Sequence, residues 1–203
     1  MKFLYYKITS IVLLSVAFWL VSLPLVTIGP ALIALSETIR TVASDDLSEL
    51  GALETFFRSV RRNLVSGLPL SAVLVLVPLG TIFYLQLALE GMSGYATLGT
   101  IIGIYLCFCC LFFSVRLASI SVQHRSWGLS RSFEHAIDTT LDTLDVSVLS
   151  ACLFAVVLVV SVLFPPLLLL LTPGFFVIFE SVLYETIAGK EPSRYHEYLG
   201  TRA

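Results

Sequence analysis

Five long apolar stretches, at about 8–28, 68–89, 95–115, 146–164 and 167–187, leave this chain few ways to fold. Each is close to the ~20 residues a helix needs to cross ~30 Å of hydrocarbon. No water satisfies the backbone inside a bilayer, so a spanning segment of this length closes its hydrogen bonds within itself as a helix. The expected fold is all-α: a polytopic transmembrane helical bundle of about five spans, forming one integral membrane domain over 1–203. Only 13% of the 203 residues are charged and 57% are hydrophobic, whereas a soluble domain carries about 25% charged residues. A net charge of −2 provides no basic surface for a polyanion, which sets nucleic acid aside as a partner.

The basic residues decide orientation, because Lys and Arg in short loops stay on the cytoplasmic side. Arg40, Arg58, Arg61 and Arg62 lie between the first two stretches, Arg116, Arg125 and Arg131 follow the third, and Lys190, Arg194 and Arg202 occupy the tail. The connections at 90–94 and 165–166 carry none, so they are the expected outer turns of a multi-pass protein of the cell membrane. Five full spans then place the amino terminus outside, where Lys2 and Lys7 break the rule.

Two arrangements of the first stretch are open. It runs past the length of a signal-peptide core, and Leu23-Pro24-Leu25-Val26 is the wrong chemistry for a cleavage site, so it is expected to be retained. As a full span it ends near Ile28, with Pro30 at the first position of a following amphipathic helix, where a missing N–H costs nothing. Alternatively Pro24, Gly29 and Pro30 break it into a hairpin that dips in and returns, leaving both ends inside. The returning arm, 30–42, would then reach only ~20 Å and bring Glu37 and Arg40 into or near the bilayer. The full span is the expectation carried forward.

The two longer inner segments have helical periodicity. In 46–64, Leu47, Leu50, Leu53, Phe57, Val60 and Leu64 recur every three or four residues behind a capping signature, Asp46 with Glu49. Arg58, Arg61 and Arg62 line the other side. In 132–146 the period returns in Phe133, Ile137, Leu141 and Leu144, beside an acidic stripe of Glu134, Asp138, Asp142 and Asp145. Two cytoplasmic amphipathic helices are expected, of opposite sign, able to pair with each other or with another subunit. Arg58, Arg61 and Arg62 are the candidate partner surface. The order span, surface helix, span occurs twice, but the best echo, Leu70-Ser71-Ala72 against Leu149-Ser150-Ala151, is too short to establish a duplication.

Few residues inside the stretches carry chemistry. Glu180 lies about midway along the fifth, where an acid costs ~2.5–3.5 kcal/mol on insertion scales. Either it faces protein or water and finds a partner, or it reaches the inner interface beside Glu185 and is solvated. Arg116 closes the third stretch and is expected to snorkel to headgroups. Thr27, Gly29 and Pro30, and again Thr172, Pro173 and Gly174, are local breaks: glycine admits a close neighbour, and proline interrupts a hydrogen-bond ladder. Such breaks occur as kinks in packed helices or around a substrate site. Cys107, Cys109, Cys110 and Cys152 lack an acid or histidine at ligand spacing and read as small packing residues. His124, His135 and His196 are scattered, and no nucleophile-elbow, metalloprotease or phosphate-loop motif occurs. No catalytic residue, metal or cofactor is expected, and the chain does not read as an enzyme.

Thr27-Ile28-Gly29-Pro30-Ala31, closing the first stretch, and Phe56-Phe57-Arg58-Ser59-Val60-Arg61-Arg62-Asn63-Leu64, leading into the second, resemble the YesL-like family of small prokaryotic integral membrane proteins of unknown function. The likeness covers nearly the whole chain in length and span layout, and these two patches are its specific part. Members often occur beside ABC-type sugar uptake systems. The resemblance therefore implies an accessory or assembly role in a carbohydrate transport system, with ABC-type transporter subunits as partners besides the lipid bilayer. The alternative expectation, from the broken stretches, is a small transporter or channel with Glu180 in the translocation path, self-associating because five spans enclose little space.

Overall fold

The computed structural model describes residues 2–44, 49–91, 94–124, 129–142, 144–163 and 172–187. Among these the chain forms an all-α bundle without strands: α1 (Lys2–Ser22), α2 (Ile28–Ser44), α3 (Glu49–Arg62), α4 (Leu64–Leu89), α5 (Gly94–Gln123), α6 (Leu129–Asp142), α7 (Leu144–Leu163) and α8 (Thr172–Ile187). A tight 3-10 turn, Leu25–Thr27, joins the first two. Three segments among the described residues, Leu25–Val42, Leu64–Leu89 and Gly94–Gln123, are long and apolar enough to cross a membrane. The Asp46 cap, the turn at 165–166 and the basic tail lie outside the described residues.

The first apolar stretch is not a single helix. α1 stops at Ser22 because Pro24 has no N–H to donate and its ring would strike the carbonyl of Leu20 in a continued helix. Local bonds then close the turn: the Thr27 hydroxyl donates to the Val21 carbonyl, and the Thr27 N–H to the Pro24 carbonyl at 3.1 Å. The helix resumes at Ile28, so Pro30 is the third residue of α2 rather than its first. That position is still within the turn whose N–H groups have no intrahelical partner. α1 packs against α2, α3 and α8, and α3 packs against both α1 and α2. The chain therefore doubles back at 23–27 as a helical hairpin.

α2 is the centre of the molecule. It packs against α1, α3, α4, α5 and α8, and every residue from Ala31 to Ile39 is buried. Gly29, near its start, lies against Gly67 and Ser71, and Glu37, further on, is held by Ser59 and Arg62. α2 thus runs antiparallel to α3 and α4. Those two form one nearly continuous rod, since the Asn63 N–H donates to the Ser59 carbonyl and the Gly67 N–H to the Asn63 carbonyl, both at 2.9 Å. The expected surface helix and second span are accordingly merged.

α5 returns against α4 at close range because glycines face bulky neighbours. A Cβ on Gly99 would lie 2.6 Å from the Tyr84 ring, and one on Gly103 2.6 Å from the Thr81 hydroxyl. One turn further, the Cys107 thiol sits 3.3 Å from that hydroxyl, completing a row of small residues with four-residue spacing. From Ala72 to Glu90 no α4 residue is buried, so the α4–α5 pair projects past the α1–α2 turn as an apolar hairpin. α7 is joined to it through Phe154, whose ring meets Phe108 edge-on at 5.6 Å and tilts over Phe176 of α8 at 3.8 Å.

The two amphipathic helices bury different faces from those expected. α3 buries Ala52, Phe56, Ser59 and Val60 and leaves Leu50 and Phe57 exposed. α6 buries Ser132 and Ala136, while Phe133, Ile137 and Leu141 are 47%, 37% and 59% exposed. Asp145 falls on α7, because α6 ends at Asp142. The main packing of α3 is on α1 and α2 and that of α6 on α5, so among the described residues the two helices do not pack chiefly on each other.

Candidate functional site

Among the described residues two carboxylates are buried, and each is met by an arginine from another helix. Arg116, on α5, is wholly buried and is the largest fully buried side chain among the described residues. Its Nε lies 3.4 Å from Oε1 of Glu180 on α8, and its Nη1 donates to the Ser147 hydroxyl of α7 at 2.8 Å. One guanidinium therefore ties three helices together. The expectation that Arg116 snorkels to headgroups is overturned: α5 continues to Gln123, so Arg116 sits inside the bundle instead of at a helix end. Glu180 is buried, and Arg116 is the partner its position called for.

Glu37 of α2 is the second buried acid. The Ser59 hydroxyl and the Arg62 guanidinium both donate to it, and the Asn63 amide lies at 3.5 Å. These three donors come from the junction of α3 and α4, the patch that the sequence singled out for outside partners. Arg62 is engaged within the chain. Arg58 pairs on the surface with Glu54, with both side chains exposed, and Arg61 is exposed. Of the three arginines, Arg62 alone reaches an acid on another helix, and Arg58 and Arg61 are exposed without such a tie.

The Thr27–Pro30 break is clamped by α4. The Ser71 hydroxyl accepts from the Gly29 N–H at 2.9 Å and donates to the Val26 carbonyl at 2.6 Å, which satisfies both sides of the turn. Thr172, Pro173 and Gly174 form the first described turn of α8, and the Gly174 N–H donates to the Ser15 hydroxyl of α1 at 3.3 Å. The two breaks meet around one cavity of about 440 Å³, whose walls include Trp19, Leu25, Ile28, Leu74, Leu111, Pro173 and Phe176. Sequence reasoning saw both breaks but had no signal that they share a cavity.

Among the described residues no group of three or more His, Cys, Asp or Glu is placed to hold a metal ion. Cys107, Cys109 and Cys110 lie along α5 and Cys152 on α7, all as free thiols. His124 and His135 stack edge-on with centroids 5.8 Å apart, a proximity that their separate positions in the sequence did not announce.

The model of a protein family described as "Protein of unknown function, DUF624" matches residues 11–87. That segment contains the α1–α2 hairpin from Ile11, the Glu37 site and most of α4. No curated protein and no solved structure matches the chain.

Proposed function

We propose that this chain is a multi-pass protein of the cell membrane that works by holding partners, as an accessory or assembly component of a transport system, and not by catalysing a reaction. The observation that carries this reading is the outward face of α6. Phe133, Ile137 and Leu141 form an exposed apolar row, flanked by exposed Glu134, Asp138 and Asp142. Such a face suits a partner surface that is apolar and basic, and its negative charge disfavours the anionic headgroups of an inner leaflet. α3 offers a second face of opposite sign, with exposed Leu50, Phe57, Arg58 and Arg61. The YesL-like resemblance, compatible with the family match at 11–87, points to carbohydrate uptake and to ABC-type subunits as the partners.

In this reading α4 and α5 cross the bilayer, and the α1–α2 hairpin enters from the cytoplasmic side and returns. The turn carries Leu23, Leu25 and Val26 at 75%, 54% and 59% exposure, a tip suited to hydrocarbon and ill suited to water. Its anchor, Ser71, stands near the inner end of α4, and Glu37, the difficulty for a returning arm, has its charge met by Arg62. Lys2 and Lys7 then join the other basic residues inside.

Affinity capture from detergent-solubilised membranes with quantitative mass spectrometry tests the association. The expected result is that wild type enriches transport-system subunits, and that Phe133→Ser with Ile137→Ser and Leu141→Ser, or Arg58→Glu with Arg61→Glu, loses them while the chain stays folded. No enrichment by wild type, or unchanged capture by both variants, would overturn it. The transporter reading draws on the Arg116–Glu180 pair and the neighbouring breaks. It is weakened because Glu180 is engaged by Arg116 and the cavity beside it has almost wholly apolar walls.

A further inference from the structure

The cavity at the tip of the α1–α2 hairpin is lined by side chains from α1, α2, α4, α5 and α8, with Ser22 and Ser114 as the only hydroxyls among the described residues that line it. Its volume of about 440 Å³ falls in the range of ligand pockets, roughly 300–1,000 Å³. Walls of Phe, Leu, Ile and Trp do not hold water, and an apolar void left empty forfeits the contacts of every atom around it. The two hydroxyls differ. Ser114 donates to the Cys110 carbonyl at 2.6 Å. Ser22 is only 8% exposed, and its hydroxyl has no hydrogen-bond partner among the described residues. The occupant that fits is thus a hydrocarbon chain carrying one hydrogen-bonding group near Ser22.

We propose that this cavity binds an acyl chain of a membrane phospholipid, drawn in below the headgroup level so that the ester of that chain meets the Ser22 hydroxyl. The assignment rests on the placement of the hairpin tip inside the bilayer, where Leu23 and Leu25, both exposed and both at the cavity wall, border the path from the surrounding lipid. Bound there, the chain completes the packing between the hairpin, α5 and α8. It makes the lipid a structural part of the unit that carries the Arg116–Glu180 pair.

Trp19 lines the cavity and serves as the reporter. The chain has two tryptophans, so Trp127→Phe leaves Trp19 alone. The probe is phosphatidylglycerol brominated along its acyl chains, added to delipidated protein in detergent micelles, with contact quenching of Trp19 as the readout. The expected result is saturable quenching at one lipid per chain, reversed by unbrominated phosphatidylglycerol. Leu111→Phe, which fills the cavity from a partly exposed position, weakens it at least about tenfold, and Ser22→Ala weakens it about fivefold, as for loss of one net hydrogen bond. Circular dichroism and monodispersity confirm that both variants fold. Quenching that rises linearly without saturation, that persists unchanged in Leu111→Phe, or that brominated stearic acid produces while the phospholipid does not, overturns the proposal. Because the titration is done in micelles, its outcome is independent of which side of a membrane the hairpin enters from.

Discussion

Arg116→Ala is expected to lower stability by about 3–5 kcal/mol, the cost of leaving one member of a buried ion pair without its partner. Glu180→Ala should cost a similar amount for the same reason. Neither charge can be solvated in place, since the two side chains are 0% and 4% exposed. Arg116 also loses its bond to Ser147, so α7 is released along with α8. The double variant Arg116→Met with Glu180→Leu should recover most of the loss, because apolar side chains of similar volume remove both desolvation penalties at once. Chemical unfolding in mild detergent, followed by circular dichroism, measures all three. Single variants within about 1 kcal/mol of wild type, the level of an exposed pair, would show that the pair is hydrated and peripheral.

Gly29→Ala and Gly67→Ala should be damaging by a different route. A methyl on Gly29 would run into the Gly67 carbonyl, and one on Gly67 would lie 2.7 Å from Pro30 Cα. The obstacles are backbone, so α2 and α4 must separate, at a cost at or above the ~1–3 kcal/mol of ordinary overpacking. Separation also opens the Ser71 clamp on the turn. Gly80 provides the control, because a Cβ there meets nothing within 4 Å. Gly80→Ala should be neutral or stabilising by about 0.5–1 kcal/mol through helix propensity. Equal effects at Gly29, Gly67 and Gly80 would mean that the close approach of α2 to α4 is not what holds the turn.

The helical class and most of the apolar segments were legible in the sequence because length and hydropathy alone decide what a bilayer admits. The breaks at Pro24 and Gly29-Pro30 were legible too, as local backbone chemistry. What they did to the path of the chain was not, because a full span and a hairpin use the same residues and differ only in what α2 packs against. α2 was the main omission: with Glu37 and Arg40 it read as an amphipathic arm, and its burial depends on donors from the α3–α4 junction. Arg62 is exposed as its periodicity implied, but its bond to Glu37 was not legible, because periodicity around one helix cannot see an acid on another. Glu180 stood out because an acid in an apolar run is costly wherever it lies, whereas Arg116 was placed at a membrane edge because apolar counting ends a helix at the first charge. The faces of α3 and α6 were misassigned for a related reason: Ala52, Ser132 and Ala136 are buried where helices come close, and the larger Leu50, Phe133 and Leu141 were left outside.

The hairpin is the claim on which the remaining geometry depends, and single cysteines in a cysteine-free background test it most directly. Lys2→Cys, Leu23→Cys, Asn63→Cys and Ser93→Cys would be exposed in intact cells, and again after permeabilisation, to a membrane-impermeant thiol reagent. A re-entrant α1–α2 hairpin gives labelling at Ser93 from outside, labelling at Lys2 and Asn63 only after permeabilisation, and none at Leu23 in either condition, because the tip lies in hydrocarbon. Labelling of Lys2→Cys in intact cells would contradict it, since that places the amino terminus outside and makes the first stretch a full span.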